Sequence, residues 1–299
     1  MKILVVGAAG FVGSHLTERF VAEGFGVDAI DDLSTGSLAN LADARALGGD
    51  LKIHTIDASS DDFVTLAVSR QPQVIYHLGC MPPGRDSPRS ASSAVHSMLN
   101  VLEAARQLGD VKVVAALPAV SLYGEVGLRD LPVKEGHPLD PFGLSGVVAS
   151  TITDLMSMYR RHHDVEFTAL LLANVYGTRQ RNDAGVVSSF AQAVRDGQQA
   201  TIFGDGRQTR DFLYIDDTID ALARAATKGD GLTINVGSGV ATTIRELWAM
   251  MAGPSAPAPN MATVRPIDVS RSSLAITRAR IHLGWAPWTD LATGLRAVR

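Results

Sequence analysis

The sequence predicts an α/β protein with a doubly wound parallel sheet, and three observations support this fold class. Apolar, β-branched segments of strand length alternate with segments of helical periodicity up to about residue 170. The connections are short, which is typical of strands joined by right-handed crossover helices. A glycine-rich turn and a helix follow the first strand directly. We therefore expect a buried parallel sheet with helices on both faces.

The predicted elements fall into two parts. Strands are predicted at Lys2–Gly7, Gly26–Ile30, Lys52–Ile56, Gln73–Leu78, Val111–Leu117 and Glu166–Ala173. Helices between them are predicted at Ser14–Glu23, Asp61–Ser69, Ser92–Leu108 and Gly146–His162. Later elements are a helix at Val186–Asp196, a strand at Phe212–Ile215, a helix capped by Asp216, a strand at Leu232–Val236 and a closing helix at Thr289–Val298. We expect a domain at residues 1–177 and a smaller, interleaved α/β lobe at residues 178–299.

Composition and charge exclude several classes of protein. The chain has 299 residues, 46% of them hydrophobic, which suffices for one large domain with a smaller lobe. Its net charge of −4 argues against a nucleic-acid partner. The single cysteine, Cys80, excludes an internal disulfide, and no apolar run reaches the length of a membrane span. No metal-binding motif is present. We expect a cytoplasmic protein without a membrane partner.

The turn after the first strand has glycines at the spacing of a dinucleotide site. Gly7 would permit a tight turn, Gly10 close approach of a pyrophosphate, and Gly13 close packing of helix on strand. Phe11 and Val12 lie in the glycine turn and belong to the predicted cofactor site, next to the helix whose amino-terminal N–H groups favour phosphates. Structural turns also use glycine, so this motif alone is weak.

Residues at the ends of the following strands favour NAD over NADP. Asp31 ends the second strand, where a carboxylate accepts hydrogen bonds from the adenosine ribose. Asp32 follows it, and no arginine is nearby for a 2′-phosphate. Asp57 and Ala58 follow the third strand within reach of the adenine, and Leu78 ends the fourth. Together they predict a Rossmann-type NAD site at this edge of the sheet.

Motifs along nearly the whole chain resemble those of one enzyme family. They include GAAGFVG at 7–13, DDLSTG at 31–36, VIYHLG at 74–79, LYGE at 122–125, HPLDP at 137–141, NVYGTRQ at 174–180 and FGDGRQTRDFLYIDD at 203–217. The chain resembles an extended short-chain dehydrogenase/reductase of the NAD-dependent epimerase/dehydratase family, and within it the UDP-glucose 4-epimerase branch. The resemblance implies NAD as cofactor, a nucleotide sugar or related metabolite as substrate, and a homodimer.

The resemblance also assigns the smaller lobe to the substrate. Asn174 would contact the substrate diphosphate and Arg210 would pair with it, while Arg265 and Asp268 would hold the nucleoside. Arginine suits bidentate phosphate contact, and a carboxylate suits ribose hydroxyls. The alternative is that Arg210–Asp211 and Arg265–Asp268 form only ion pairs within the lobe.

The sequence departs from the family where the family's chemistry resides. The family uses a Tyr-x-x-x-Lys motif and a serine or threonine, which together move a hydroxyl proton. By the resemblance, the tyrosine position is Phe142, the lysine position Gly146 and the serine position Ala119. The usual proton relay is therefore expected to be absent. Tyr123, the phenol retained nearby, is the candidate replacement acid or base.

Residues after the fourth strand offer further candidates. Arg85, Asp86 and Arg89 either line the pocket or belong to a solvated loop. Cys80 is a weak candidate nucleophile, because no partner base is visible in the sequence. His77 is expected to be structural, beneath the cofactor.

These observations leave several functions open. The first is a divergent family member that binds NAD and acts on a nucleotide sugar or related polar metabolite by a non-standard, redox-neutral isomerisation, elimination or cyclisation. The second is a non-catalytic sensor or partner protein that binds NAD(H) or a nucleotide sugar. Ordinary epimerase activity through another residue and a cofactor-free isomerase or cyclase are further alternatives.

Overall fold

A seven-stranded parallel sheet forms the centre of the protein. The computed structural model describes residues 1–79, 81, 87–253, 257–264 and 268–298. Strands in these ranges are β1 (Lys2–Val6), β2 (Gly26–Asp31), β3 (Leu51–Thr55), β4 (Val74–His77), β5 (Lys112–Pro118), β6 (Phe167–Leu172), β7 (Asn174–Tyr176), β8 (Thr201–Phe203), β9 (Thr209–Tyr214), β10 (Leu232–Val236), β11 (Ala241–Thr243) and β12 (Asn260–Ala262). The central sheet has the order β10-β6-β5-β4-β1-β2-β3, and all its pairs are parallel. The predicted doubly wound fold is confirmed.

Helices cover both faces of this sheet. The α-helices in the described ranges are α1 (Phe11–Ala22), α2 (Ala42–Ala46), α3 (Asp61–Arg70), α4 (Pro88–Leu108), α5 (Ala119–Tyr123), α6 (Gly143–His163), α7 (Val186–Arg195), α8 (Ile215–Ala225), α9 (Ile244–Ala252), α10 (Thr277–His282) and α11 (Leu291–Arg296). Helix α1 packs on α8, and α4 packs between α3 and α6. None of the helices in the described part is both long and apolar enough to cross a bilayer.

The two faces of the sheet are visible in consecutive residues of β4. Tyr76 is buried against Phe20 of α1 and donates a hydrogen bond to the carbonyl of Leu222 in α8. His77, the next residue, points the other way and contacts Ser97 of α4. This alternation explains why the central strands are apolar throughout, because both of their faces lie against helices.

The smaller lobe has two short sheets and a core of its own. Strands β11, β9 and β7 form one sheet, and β12 pairs with β8 in the other. The core of the lobe includes Tyr176, Phe190, Phe212 and Trp248. The predicted boundary at residue 177 is only approximate, because β7 belongs to this lobe while β10 and α8 return to the central core.

Several element boundaries differ from the prediction. Helix α1 begins at Phe11, and α6 begins at Gly143, three residues earlier than expected in each case. Asp216 is not the cap of α8: Tyr214 holds the N-cap position, and Asp216 lies in the first helical turn. Asp290 caps the closing helix, which is shorter than predicted. The starts of α1 and α6 were predicted too late because glycines near them weaken the helical pattern of the sequence.

Asp211 holds the loops of the smaller lobe together. Its carboxylate is completely buried and accepts hydrogen bonds from the backbone N–H groups of Ser238, Gly239 and Leu274, at 2.7, 3.0 and 3.0 Å. The Ser238 hydroxyl donates a fourth, at 2.6 Å. Burial raises the pKa of Asp211, and these hydrogen bonds oppose the rise. One side chain therefore joins the ends of three chain segments beside the candidate site.

Replacing Asp211 with alanine is expected to destabilise the protein by about 3 kcal/mol or more, because three buried N–H groups would lose their acceptor. Urea denaturation measures the change. The Asp205→Ala control removes an exposed carboxylate that accepts one N–H within its own turn, and should cost about 1 kcal/mol or less. Equal losses for the two variants would contradict the role assigned to Asp211.

Candidate functional site

The predicted cofactor residues gather at the edge of the sheet where β1 to β4 end. The parallel registers align Val6 with Ile30 and with His77, so the turns that follow these strands are neighbours. Gly7 has a φ of 82°, and its N–H donates to the Ile30 carbonyl at 2.9 Å. A Cβ at Gly7 would lie 3.1 Å from the carbonyl carbon of Leu78. Glycine is therefore required here by both conformation and close approach.

The other two glycines differ in what surrounds them. A Cβ at Gly13 would overlap the carbonyl oxygen of Gly7, so this glycine serves the packing of α1 on β1. A Cβ at Gly10 would meet, among the described atoms, that same oxygen alone, at 3.2 Å. Gly10 is the N-cap of α1 and no side chain caps the helix. The N–H groups of Phe11 and Val12 in its first turn thus suit an anionic ligand.

Asp31 is held at the end of β2 by hydrogen bonds that leave part of its carboxylate free to accept others. One carboxylate oxygen accepts the Ala9 N–H at 2.8 Å, and the other accepts the Leu33 N–H at 2.9 Å. Burial raises the pKa of Asp31, while these two hydrogen bonds lower it. A carboxylate has about four lone-pair sites, so two remain for ribose hydroxyls. The orientation of Asp31 fits the ligand chemistry predicted for it.

Asp32 and Asp57 are turn residues. Each is exposed, and each carboxylate accepts from the N–H and hydroxyl of the serine two residues later, Ser34 or Ser59. These contacts order the turns at the ends of β2 and β3. Ala58 is buried, and its carbonyl accepts from a side-chain amide of α4. The turns therefore place these residues beside Asp31, with the carboxylates engaged locally.

The structure adds Asn40 and Ser37, which the sequence analysis missed. The Asn40 amide donates to the Ala9 carbonyl at 2.8 Å, and the Ser37 N–H donates to the same oxygen at 3.0 Å. The segment after Asp31 therefore folds back over the glycine turn and holds it. The DDLSTG motif contains the glycine that permits this contact, since a Cβ at Gly36 would lie 2.8 Å from Asp31.

Two of the residues predicted to bind substrate, Asn174 and Arg210, lie on one face of the three-stranded sheet of the smaller lobe. In the parallel register Asn174 is opposite Phe212, so Arg210, two residues earlier on β9, points to the same side. The Asn174 side-chain oxygen is buried and has no hydrogen-bond partner among the described residues. Arg210 is buried too, and its guanidinium pairs with the carboxylate of Asp268.

Some predicted residues cannot be placed, and others are exposed. Arg265, Cys80, Arg85 and Asp86 lie outside the described residues. Arg89 is exposed in the first turn of α4. No group of three or more metal-binding side chains occurs within the described ranges.

Tyr123 occupies a structural position that argues against its predicted role as acid or base. The residue is 2% exposed, and its hydroxyl donates to the Asn235 side chain at 2.8 Å. Asn235 in turn donates to the Val133 carbonyl at 2.9 Å. Burial raises the pKa of Tyr123, and the nearby Glu135 raises it further. The phenol therefore joins α5 to β10, and a role in proton transfer stays a prediction that these contacts do not favour.

His77 is structural, as its position beneath the predicted cofactor site suggests. It is completely buried, and its Nε2 atom lies 2.7 Å from the Ser97 hydroxyl. Burial lowers the pKa of His77 to about 4, so the ring is neutral at neutral pH.

The three positions assigned to the family's chemistry lie where α5 meets α6. Ala119 begins α5 and is buried, and Phe142 is the N-cap of α6. The Phe142 N–H donates to the Ser121 carbonyl at 2.8 Å. A Cβ at Gly146 would overlap that same carbonyl oxygen. The two helices thus approach so closely that a lysine at position 146 requires the backbone to move.

The comparisons with known proteins agree with this architecture. The family model "NAD dependent epimerase/dehydratase family" matches residues 3–237. UDP-glucose 4-epimerase of Mycolicibacterium smegmatis is 39% identical, covering 99% of this chain and 96% of the relative. The solved structure of UDP-glucose 4-epimerase from Thermotoga maritima with UDP-glucose superposes with a TM-score of 0.92, at 30% identity and coverage of 100% and 97%.

A third match concerns a variant. UDP-glucuronic acid 4-epimerase from Bacillus cereus, with one tyrosine replaced by phenylalanine, was solved with NAD and UDP-4-deoxy-4-fluoro-glucuronic acid. It is 28% identical, covers 99% of this chain and 97% of that one, and has a TM-score of 0.88. With a family model matching over half of its length, the chain belongs to the NAD-dependent epimerase/dehydratase family.

Replacing Gly146 with alanine is expected to destabilise the protein by about 1–3 kcal/mol, because the new methyl group must displace the Ser121 carbonyl. Urea denaturation measures this change. Gly136→Ala is the matched control, since a Cβ there meets no described atom within 4 Å, and its effect should stay within about 0.5 kcal/mol. A neutral Gly146→Ala substitution would show that α6 has room for a side chain.

Proposed function

We propose that the protein binds NAD and a nucleotide-activated sugar between its two lobes and acts on the sugar without the family's tyrosine-based proton relay. One observation carries this proposal. Residues suited to both ligands remain on either side of the site, while Ala119, Phe142 and Gly146 occupy the positions between them. None of these three residues has a side chain with a dissociable proton or a positive charge.

The NAD half rests on the residues around the glycine turn. The uncapped N-terminus of α1 offers N–H groups and the positive end of the helix dipole to the pyrophosphate. Asp31 retains lone pairs for the adenosine ribose. Gly10 leaves the approach to the backbone open. When bound, NAD would supply a nicotinamide that accepts and returns hydride.

The nucleotide-sugar half rests on Arg210 and Asn174. The diphosphate would compete with Asp268 for the Arg210 guanidinium, because both offer negatively charged oxygens. Asn174 would donate its side-chain N–H groups to the same diphosphate. Its side-chain oxygen, which has no partner among the described residues, would need a donor other than the diphosphate, such as a substrate hydroxyl. An unpaired, buried guanidinium is unfavourable, which explains why Asp268 pairs with Arg210 when no diphosphate is bound.

The missing proton relay restricts the chemistry. A proton that leaves a sugar hydroxyl at this site must pass to water or the substrate itself, or to a residue other than Ala119, Phe142 and Gly146. Tyr123 is not the proton acceptor in this proposal, because its hydroxyl is buried and hydrogen-bonded to Asn235. We therefore favour a redox-neutral isomerisation, elimination or cyclisation over simple alcohol oxidation. A 28% identical relative, solved with NAD and a nucleotide-sugar analogue while one of its tyrosines was replaced by phenylalanine, supports binding of both ligands by this chain.

The absence of the proton relay also favours a second candidate function, that of a non-catalytic protein that senses its ligands. Incubation with NAD and UDP-glucose, followed by proton NMR of the sugar, separates the two. A chemically altered sugar supports the enzyme. An unchanged sugar that binds in the presence of NAD supports the sensor.

A homodimer is part of the proposal and is supported by helix α6. Leu144, Val147 and Met158 are exposed on it, at 37%, 53% and 37%. The spacing of these residues places them on one face of the helix. An apolar stripe on a long surface helix suits packing against a second copy, and sedimentation velocity measures the assembly.

NAD is expected to bind more tightly than NADP, because the Asp31 carboxylate would repel a 2′-phosphate. Isothermal titration of the purified protein with each dinucleotide measures the two affinities, and mass spectrometry of the denatured protein detects NAD that co-purifies. The Asp31→Ala variant should bind NAD more weakly and lose the preference. Failure of the wild-type protein to bind NAD at millimolar concentration would contradict the proposed cofactor.

The Arg210→Ala variant is expected to bind UDP-glucose about 10-fold to 100-fold more weakly, because it loses charge-assisted hydrogen bonds to the diphosphate. Arg207→Ala is the matched control on the same segment, since the Arg207 side chain is 81% exposed. Titration calorimetry measures both variants, with thermal unfolding to check their folding. Equal affinities for the two variants would remove Arg210 from the binding site.

A further inference from the structure

The loop that follows β7 lies directly against the cofactor helix. It comprises residues 177–185 and connects β7 to α7. At its start, a Cβ on Gly177 would overlap the side chain of Ile215 in α8 and would lie 3.6 Å from the ring of Phe11 in α1. The loop therefore leaves the smaller lobe through a gap that only a glycine fits.

Successive loop residues then contact successive turns of α1. Phe11, His15 and Glu18 have the i, i+4, i+7 spacing that forms one face of a helix. Along this face Thr178 contacts His15 and Arg179 contacts Glu18, while a Cβ built at Gly177 would lie 3.6 Å from the Phe11 ring. The His15 Nε2 atom lies 3.1 Å from the Thr178 carbonyl, and burial lowers the pKa of His15, which favours the neutral ring as donor.

Arg179 is the strongest of these contacts. One guanidinium nitrogen donates to Glu18 at 2.5 Å and to Asp43 of α2 at 2.6 Å. The Arg179 side chain is 16% exposed and Glu18 35%, so their ion pair is partly shielded from water, whereas Asp43 is 70% exposed. The backbone of Arg179 has a φ of 62°, a left-handed conformation that is unfavourable for a non-glycine residue. The two ion pairs oppose this cost and favour the observed loop conformation.

The contact between the loop and α1 links the two halves of the proposed site. The first turn of α1 offers its N–H groups to the cofactor, and Asn174 begins β7, three residues before Gly177. We propose that Arg179 is a positioning residue that fixes Asn174 relative to the cofactor helix, so that the dinucleotide and the nucleotide diphosphate bind cooperatively. This inference rests on the proposed function for its ligands.

Titration with UDP, as a probe for the diphosphate half, tests the cooperativity. In the wild-type protein, saturating NAD should tighten UDP binding by about fivefold or more. In Arg179→Ala both ligands should still bind, but the effect of NAD on UDP affinity should fall below about twofold. Arg179→Lys keeps one charged contact and should restore part of the effect.

Arg181→Ala is the matched control, because Arg181 lies in the same loop and pairs with Asp183 two residues away. It should leave the effect of NAD unchanged. A wild-type effect that persists in Arg179→Ala, or that is lost equally in Arg181→Ala, would overturn the inference.

Hydrogen–deuterium exchange of the ligand-free protein tests the same contact without any ligand. Arg179→Ala should raise exchange in β7 and in the turn of α1 from His15 to Glu18 together, whereas Arg181→Ala should not. Unchanged exchange in either segment would overturn the inference even where both ligands bind. If the wild-type protein binds neither NAD nor UDP, the proposed function and the cooperativity fail together, and the exchange data alone report whether Arg179 holds the segments in place.

Discussion

The arrangement of the site depends on one backbone contact, the approach of α1 to the end of β1. A side chain at Gly13 would overlap the carbonyl of Gly7, so the helix reaches this position only because position 13 has no Cβ. From there the first turn of α1 faces the predicted cofactor site, and its later turns meet Thr178 and Arg179. Helix α1 therefore contacts both the predicted cofactor site and the loop that follows β7, although these segments are far apart in sequence.

The fold was largely predictable because its signals are local. A strand covered on both faces must be apolar throughout, and β1 and β4 carry that pattern directly in the sequence. The short strands β7, β8, β11 and β12 were missed, or only partly anticipated, because three residues hold no period that distinguishes strand from loop. Their pairing depends on contacts with distant parts of the chain.

The site was predictable where backbone conformation decides the residue type. Gly7 and Asp31 lie at the strand ends, as expected, because parallel registers align those ends. The sequence did not reveal that Tyr123 is buried against Asn235, since the two are 112 residues apart. Nor did it reveal the pairing of Arg210 with Asp268, because the ion pairs expected as the alternative to ligand contact were Arg210–Asp211 and Arg265–Asp268. Such facts depend on tertiary packing, which motif spacing does not encode.

The close contact of α6 with the Ser121 carbonyl has a consequence for the history of this chain. If an ancestor carried the family's lysine at position 146, its loss allowed the two helices to settle together and fill the space. A single reverse mutation would now meet a steric penalty before it gained any catalytic benefit. A return to lysine at this position would therefore need a second change that separates the two helices.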